Sequence, residues 1–193
     1  MAVVGDRHEA LGGGDLTNGT FATVHSLALR GTLQQLPEAS EDLIRAGLVS
    51  STPAGYTLTQ LGHRRHRAFL DMERRLLDLG LLEMAYAALP AVTRQLREIV
   101  LDWEAGDARD RRRLVGPLCA IVESIELILR RSAAVAPRFE AYRARLDTAK
   151  RRLLDSELEY AVDPDVESIL TVWREMNEDY LQTRGHAHDE GDL

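Results

Sequence analysis

Residues 46–70, AGLVSSTPAGYTLTQLGHRRHRAFL, decide how the fold is read. Gly47 is a natural helix stop, because glycine alone reaches the left-handed C-cap conformation without strain. LVSS and YTLT are two short β-prone runs around the Pro53–Gly55 turn, the signature of a hairpin. Thr59 is placed to cap a following helix that carries Leu61, Phe69, Leu70, Met72, Leu76 and Leu77. The order is therefore helix end, strand, tight turn, strand, new helix.

Upstream, the pattern becomes helical from Phe21, with Val24, Leu27 and Leu29 near one face, until Arg30-Gly31-Thr32 breaks the run. Ser40 is the expected N-cap of a short helix through Arg45. Residues 1–19 are rich in Gly, Asp and Asn without a period and read as a mobile arm. GGGD within them lacks the Gly-Lys-Ser/Thr sequel and the preceding strand of a phosphate loop.

Downstream, the chain reads as helical almost to its end and no second strand-like stretch occurs. The breakers divide it. Gly80 is expected to kink the first long helix, and Pro90 suits the first turn of a helix running to about Trp103. Asp110 is the expected cap of the next, and Pro137 opens one through about Glu159. Asp163–Pro164 has the form of a cap and first-turn proline for the last helix, which Gly185 stops. Along that helix Val166, Ile169, Leu170, Trp173, Met176, Tyr180 and Leu181 recur at three- and four-residue steps. A helix with one apolar stripe buries it against another helix, so a bundle follows, and leftover apolar faces favour a homodimer.

Composition sets the class. With 193 residues and 45% hydrophobic content, the chain suffices for one ordinary domain or two small ones. A net charge of −7 argues against a protein that coats nucleic acid over its whole surface. The single cysteine, Cys119, excludes an internal disulfide and is expected in the core. No signal-like segment opens the sequence, and the apolar run Leu114–Leu129 is interrupted by Gly116, Pro117, Glu123 and Glu126. A cytoplasmic protein is expected.

On Gly47–Val49, the Ser50–Tyr56 hairpin and Leu58–Gly62, the chain resembles winged helix-turn-helix transcriptional regulators of the multiple-antibiotic-resistance type. The segments IVLDWEAGD, FEAYRARLDTA and ILTVWREMNEDYLQTRG resemble the helical region of bacterial regulator-like proteins, and modules appended to some pyruvate phosphate dikinase-like chains. The resemblance implies double-stranded DNA as partner, a homodimer, and a bundle that senses a small-molecule effector. The fold class expected is mainly α. A winged helix over residues 20–75, with a shortened helix-turn-helix plus β-hairpin, precedes an all-α bundle over residues 76–185 and a short tail.

The shortening is a matter of length. Between Arg30 and Ala46 stand 15 residues, which must supply the second helix, the turn and the recognition helix. At a rise of about 1.5 Å per residue they allow one short turn plus a helix of about two turns. That recognition helix begins Ser40-Glu41-Asp42, with carboxylates where phosphates would lie. Between Phe21 and Leu70 five arginines face three carboxylates, a net charge of +2. This is a weak basic footprint, with modest affinity and a shallow salt dependence.

The candidate DNA contacts are Arg45, Ser50, Ser51, Thr52, Arg64, Arg65 and Arg67. Arginines near a helix start oppose its dipole at a cost of up to about 1 kcal/mol, so a functional reason for them is worth testing against a merely solvated face. Asp102–Trp103 and Trp173 with Glu178–Asp179 are candidates to line an effector pocket between helices, though a buried indole with its N–H bonded is the blander account. His63 and His66 have metal-ligand spacing, but the neighbouring arginines repel a cation, so no metal is expected. His186, His188, Asp189 and Glu190 fall in the tail. Glu123 and Glu126 project away from the Leu118–Val122–Ile125 face and are expected to be solvated or paired with arginine. No nucleophile motif or nucleotide fingerprint occurs, so neither enzymatic activity nor a cofactor is expected. Two readings stand: a regulator whose bundle spaces two DNA-binding heads on successive turns of DNA, and a module whose degenerate winged helix contacts an enzyme or other protein.

Overall fold

The computed structural model describes residues 18–37 and 40–185. Most of the expected arm, residues 1–17, and the tail with its histidines lie outside the described residues. The chain is mainly helical, 72% helix, with a small two-stranded antiparallel sheet. It divides into two compact units, Met1–Phe69 and Leu70–Leu193.

The first unit contains α1 (Asn18–Arg30), α2 (Glu41–Arg45), β1 (Val49–Thr52), β2 (Gly55–Leu58) and most of α3 (Gln60–Arg74). Helix α1 starts at Asn18, so two residues assigned to the arm are helical. Val24 and Leu27 are fully buried, whereas Leu29 is only half-buried. Val24 and Leu27 share a core with Leu43, Leu48, Val49 and Leu58. Helix α2 has only five residues. Ser40 holds the N-cap position but makes no side-chain cap bond, contrary to expectation.

The end of α2 follows backbone chemistry closely. The Gly47 N–H donates to Ile44 O (2.9 Å) and the Leu48 N–H to Leu43 O (2.9 Å), with Gly47 at φ 69°. This is the Schellman pair, closed by the buried contact side of Leu43 and Leu48 in one core. β1 and β2 then pair in the register Val49↔Leu58 to Thr52↔Gly55, leaving Pro53 and Ala54 as the loop. Leu33 bridges to Tyr56 through two backbone bonds of 3.0 and 2.8 Å, adding an isolated bridge beside the hairpin.

Thr59 caps α3 as its position suggests: its hydroxyl accepts from the Gly62 N–H at 3.1 Å and donates to Gly47 O at 2.6 Å. One threonine therefore ties the helix start to the turn that ends α2.

The second unit holds the last turn of α3 with α4 (Leu79–Tyr86), α5 (Leu89–Ala105), α6 (Ala108–Ala133), α7 (Phe139–Leu154), a 3-10 turn at Leu158–Tyr160 and α8 (Ile169–Arg184). Helix α6 is its spine and packs against α4, α5 and α7, while α8 packs on α7. Ile169, Leu170, Trp173, Met176 and Tyr180 of the predicted stripe are buried, and Val166 and Leu181 are half-buried. Among the described residues no single helix is long and apolar enough to cross a membrane.

Several boundaries differ from expectation for local reasons. The first long helix does not kink at Gly80; it ends at Arg74, and Asp78 caps α4 by accepting from the Leu81 N–H at 3.1 Å. The cap of α6 is Asp107, not Asp110, and accepts from the Arg109 and Asp110 N–H groups at 2.7 and 3.0 Å. Those backbone bonds, first to Asp110 and then to Arg109, hold the Asp107 carboxyl below its ordinary pKa. Helix α7 stops at Leu154, before the left-handed Ser156 (φ 74°), rather than near Glu159. Asp163–Pro164 opens a run of turns instead of a helix. Ser168 is the true cap of α8, accepting from the Thr171 N–H at 3.2 Å. Cys119 is half-buried, and burial pushes its thiol pKa up.

Gly116 gives a clean test of helix propensity. It lies inside α6, and a Cβ added there meets nothing within 4 Å. Gly116→Ala is expected to raise unfolding stability by about 0.5–1 kcal/mol. Urea titration followed by Trp103 and Trp173 fluorescence checks this; unchanged or lower stability contradicts it.

Candidate nucleic-acid interface

The candidate contacts come from three places in the first unit. Arg45 closes α2, Ser50, Ser51 and Thr52 lie on β1, and Arg64, Arg65 and Arg67 belong to the first two turns of α3. Their surroundings separate them into two groups.

In the first group all but Ser51 already have partners for their polar atoms. Arg45 is exposed but ion-paired with Asp42 one turn earlier, so its charge is locally balanced. The Ser50 hydroxyl is half-buried and 3.3 Å from the cross-strand Thr57 hydroxyl, and Thr52 donates to Gly55 O at 2.9 Å. These two hydroxyls brace the hairpin. Ser51 is exposed.

The second group is different. Arg64, Arg65 and Arg67 are all exposed, and none has an ion pair or hydrogen bond among the described residues. They sit opposite the buried stripe Gly62–His66–Leu70 of the same helix. Three exposed guanidiniums near the positive end of a helix dipole are unfavourably placed, and a phosphate backbone would offset that cost.

His63 and His66 do not converge. His63 is exposed, whereas His66 is 3% exposed and lies 2.8 Å (Nε2) from Nδ1 of His25 on α1. The two imidazoles stack beside Phe21 and Phe69, whose ring centroids are 3.7 Å apart. An N–H···N bond needs one ring nitrogen to carry the proton and the other to be bare, so one ring donates to the other and the pair ties α1 to α3. Among the described residues no cluster of three metal-ligating side chains occurs.

A groove of about 350 Å³ opens between the Leu33 bridge and α2, lined by Gln34, Gln35, Leu36, Pro37, Ser40, Glu41, Ile44 and Tyr56. Its apolar wall includes the exposed Ile44, and its rim carries Glu41. Leu36, Ile44 and Tyr56 come together only in the folded chain, so the groove has no local signal in the sequence.

Trp103 and Trp173 lie on α5 and α8 and are 3% and 1% exposed. Neither lines this groove or the second groove, beside Thr148, Arg151 and Arg152. The Trp173 N–H is buried without an acceptor among the described residues, unlike the bonded indole expected. Glu123 is exposed, while Glu126 is largely buried and binds a lysine, Lys150, at 3.0 Å.

The second unit contains a polar cluster of which only Asp179 was a candidate from sequence, as a pocket residue rather than as an ion-pair partner. Asp179 on α8 is fully buried and accepts from Arg138 at 2.9 and 3.2 Å and from the Tyr142 hydroxyl at 3.1 Å. Arg138 also binds Glu73 and Thr183. Burial opposes the charge on Arg138, yet Asp179 and Glu73 raise its pKa above the ordinary value. Burial, followed by the Asp179 charge, keeps Tyr142 a neutral donor by raising its pKa strongly. The signal was Glu175–Asp179–Thr183, a four-residue repeat beside the apolar stripe, which looks in sequence like a solvated face.

Comparison with protein-family models, curated proteins and solved structures gave no match.

Proposed function

We propose that the chain is a DNA-binding regulator of the winged-helix type, in which the hairpin and the start of α3 lie against the phosphate backbone. One observation carries the reading: Arg64, Arg65 and Arg67 are exposed and without intramolecular partners. Charge distribution supports it. The first unit has six basic and six acidic residues, whereas the second, with 18 against 25, carries the whole −7. A neutral head with a local arginine cluster can approach DNA while the acidic second unit is repelled.

The α2 helix argues for a phosphate-led rather than base-led mode. Five residues span only about 7.5 Å, and the helix opens with Glu41 and Asp42. Phosphate contacts position a protein without reading sequence, so weak discrimination among duplexes is expected.

Fluorescence polarisation with a labelled duplex over a salt series tests this. Arg64→Ala/Arg65→Ala/Arg67→Ala is expected to abolish binding at moderate salt. At low salt, where any residual binding persists, the salt slope should shrink by up to about three units. Because these side chains hold nothing in the protein, the thermal midpoint should stay in place. Binding that survives the triple change, or no binding by the parent chain at low salt, rejects the proposal.

A second reading follows from the groove beside α2. Leu36, Pro37, Ile44 and Tyr56 form an apolar wall, and Asp42 neutralises Arg45 next to it. Under this reading the head contacts a protein. Ile44→Asp would then remove function while leaving duplex affinity unchanged.

A further inference from the structure

We infer that a second copy of this chain covers the outward face of α4–α5. Helical geometry runs through the junction: Ala87 and Ala88 both have right-handed helical dihedrals. The Ala87 N–H donates to Glu83 O at 2.9 Å and the Val92 N–H to Ala88 O at 3.4 Å. Faces therefore stay in phase from Leu79 to Ala105. The inward face, Leu82, Ala85, Leu89, Val92 and Leu96, is buried.

The outward face carries Leu81 (49% exposed), Met84 (64% exposed), Ala87, Ala88 and Ala91. Its centre holds no charge, in a unit that is otherwise densely charged. Large side chains occupy its N-terminal half and alanines its C-terminal half. Packed antiparallel on itself about the point between Ala87 and Ala88, the face puts Met84 of one copy on Ala91 of the other. The alanines at the crossing allow close approach of the two backbones.

Charge selects a second copy as the occupant. Glu83 and Arg94 lie on the same flank of the stripe, one on each side of the crossing point. Arg94 is exposed and has no partner among the described residues. In the antiparallel pair, Arg94 of each copy comes beside Glu83 of the other, whose carboxylate is 57% exposed and touches its own Arg184 at one oxygen. The arrangement closes as a two-fold dimer, with each contact made twice.

Sedimentation equilibrium of the full chain, from low to high micromolar concentration, tests the proposal. The expected mass rises to twice 21.6 kDa. Met84→Glu should hold the mass at the monomer value throughout, and Arg94→Glu should weaken association severalfold. Both positions are exposed, so circular dichroism should match the parent. As a second measurement, Ala88→Cys in a Cys119→Ser background should form a covalent dimer under mild oxidation, while Thr148→Cys on α7 should not. A parent chain that stays monomeric would mean that some other molecule covers the face, and overturns the proposal. So does a dimer that survives Met84→Glu, or equal cross-linking from both cysteine positions. None of these outcomes depends on whether the head binds DNA.

Discussion

Arg138→Ala is expected to destabilise the second unit by about 3–5 kcal/mol, the range for removing one partner of a buried ion pair. Arg138 is 16% exposed in its side chain and is shared by two carboxylates from different helices, Asp179 at 0% and Glu73 at 20%. Removing it takes this cation from both, while Asp179 keeps the Tyr142 hydroxyl as a donor. Asp179→Ala should cost less, because Glu73 still neutralises the arginine. The ranking is the sharper part of the prediction. Urea titration followed by the two tryptophans, both in this unit, measures it. Arg143→Ala is the control: its pair with Glu140 is largely exposed, so the midpoint should not move. If Arg138→Ala behaved like Arg143→Ala, the cluster would be a bystander and not a clamp on α3, α7 and α8.

The second large effect concerns Gly62 in the first unit. In an open helix, Gly→Ala should stabilise by up to about 1 kcal/mol. At Gly62 the sign reverses. A Cβ there would stand far inside contact distance of the Leu48 carbonyl oxygen and 3.1 Å from Leu58 Cδ2. The carbonyl cannot step aside, because it accepts the Thr59 N–H at 3.0 Å and is flanked by the Schellman turn. Either α3 shifts off the hairpin or the turn opens. Gly62→Ala is therefore expected to cost about 3 kcal/mol, at the upper end for overpacking. Hydrogen exchange is the appropriate readout, because both tryptophans lie in the other unit. Protection at 43–49 and 56–62 should fall sharply. Retained protection there would show that the close approach of helix and carbonyl is not required. Gly116→Ala, which meets open space, should move the other way.

These two sites differ in how far sequence reveals them. The local parts of the Gly62 site were legible, since Gly47, the β-prone runs, Thr59 and Gly62 stand within sixteen residues, but the approach of Gly62 to the Leu48 carbonyl appears only once helix and hairpin pack. The cap errors are of the same local kind. Asp107 and Asp110 are both acceptable caps, and three residues of phase decided between them. At Asp163–Pro164 the local signal was strong, but the backbone there turns, and Ile169 is the first residue to begin a buried helical stripe. The exposure of Arg64, Arg65 and Arg67 was left open, since a charged helix face reads alike in sequence whether it faces water or a carboxylate.

The chain's own order of residues determined its helical character, the position of the hairpin, the stops at Gly47 and Gly185 and the apolar stripe of the last helix, because propensity, capping and amphipathic period act over one to four residues. Tertiary structure alone decided that His66 meets His25 across 41 positions, that Arg138 meets Glu73 across 65, and that Glu175 and Asp179 are buried rather than solvated. Those outcomes rest on which helix lands against which. A buried charge or imidazole is tolerable only where a distant partner arrives to satisfy it, and no local pattern records that arrival.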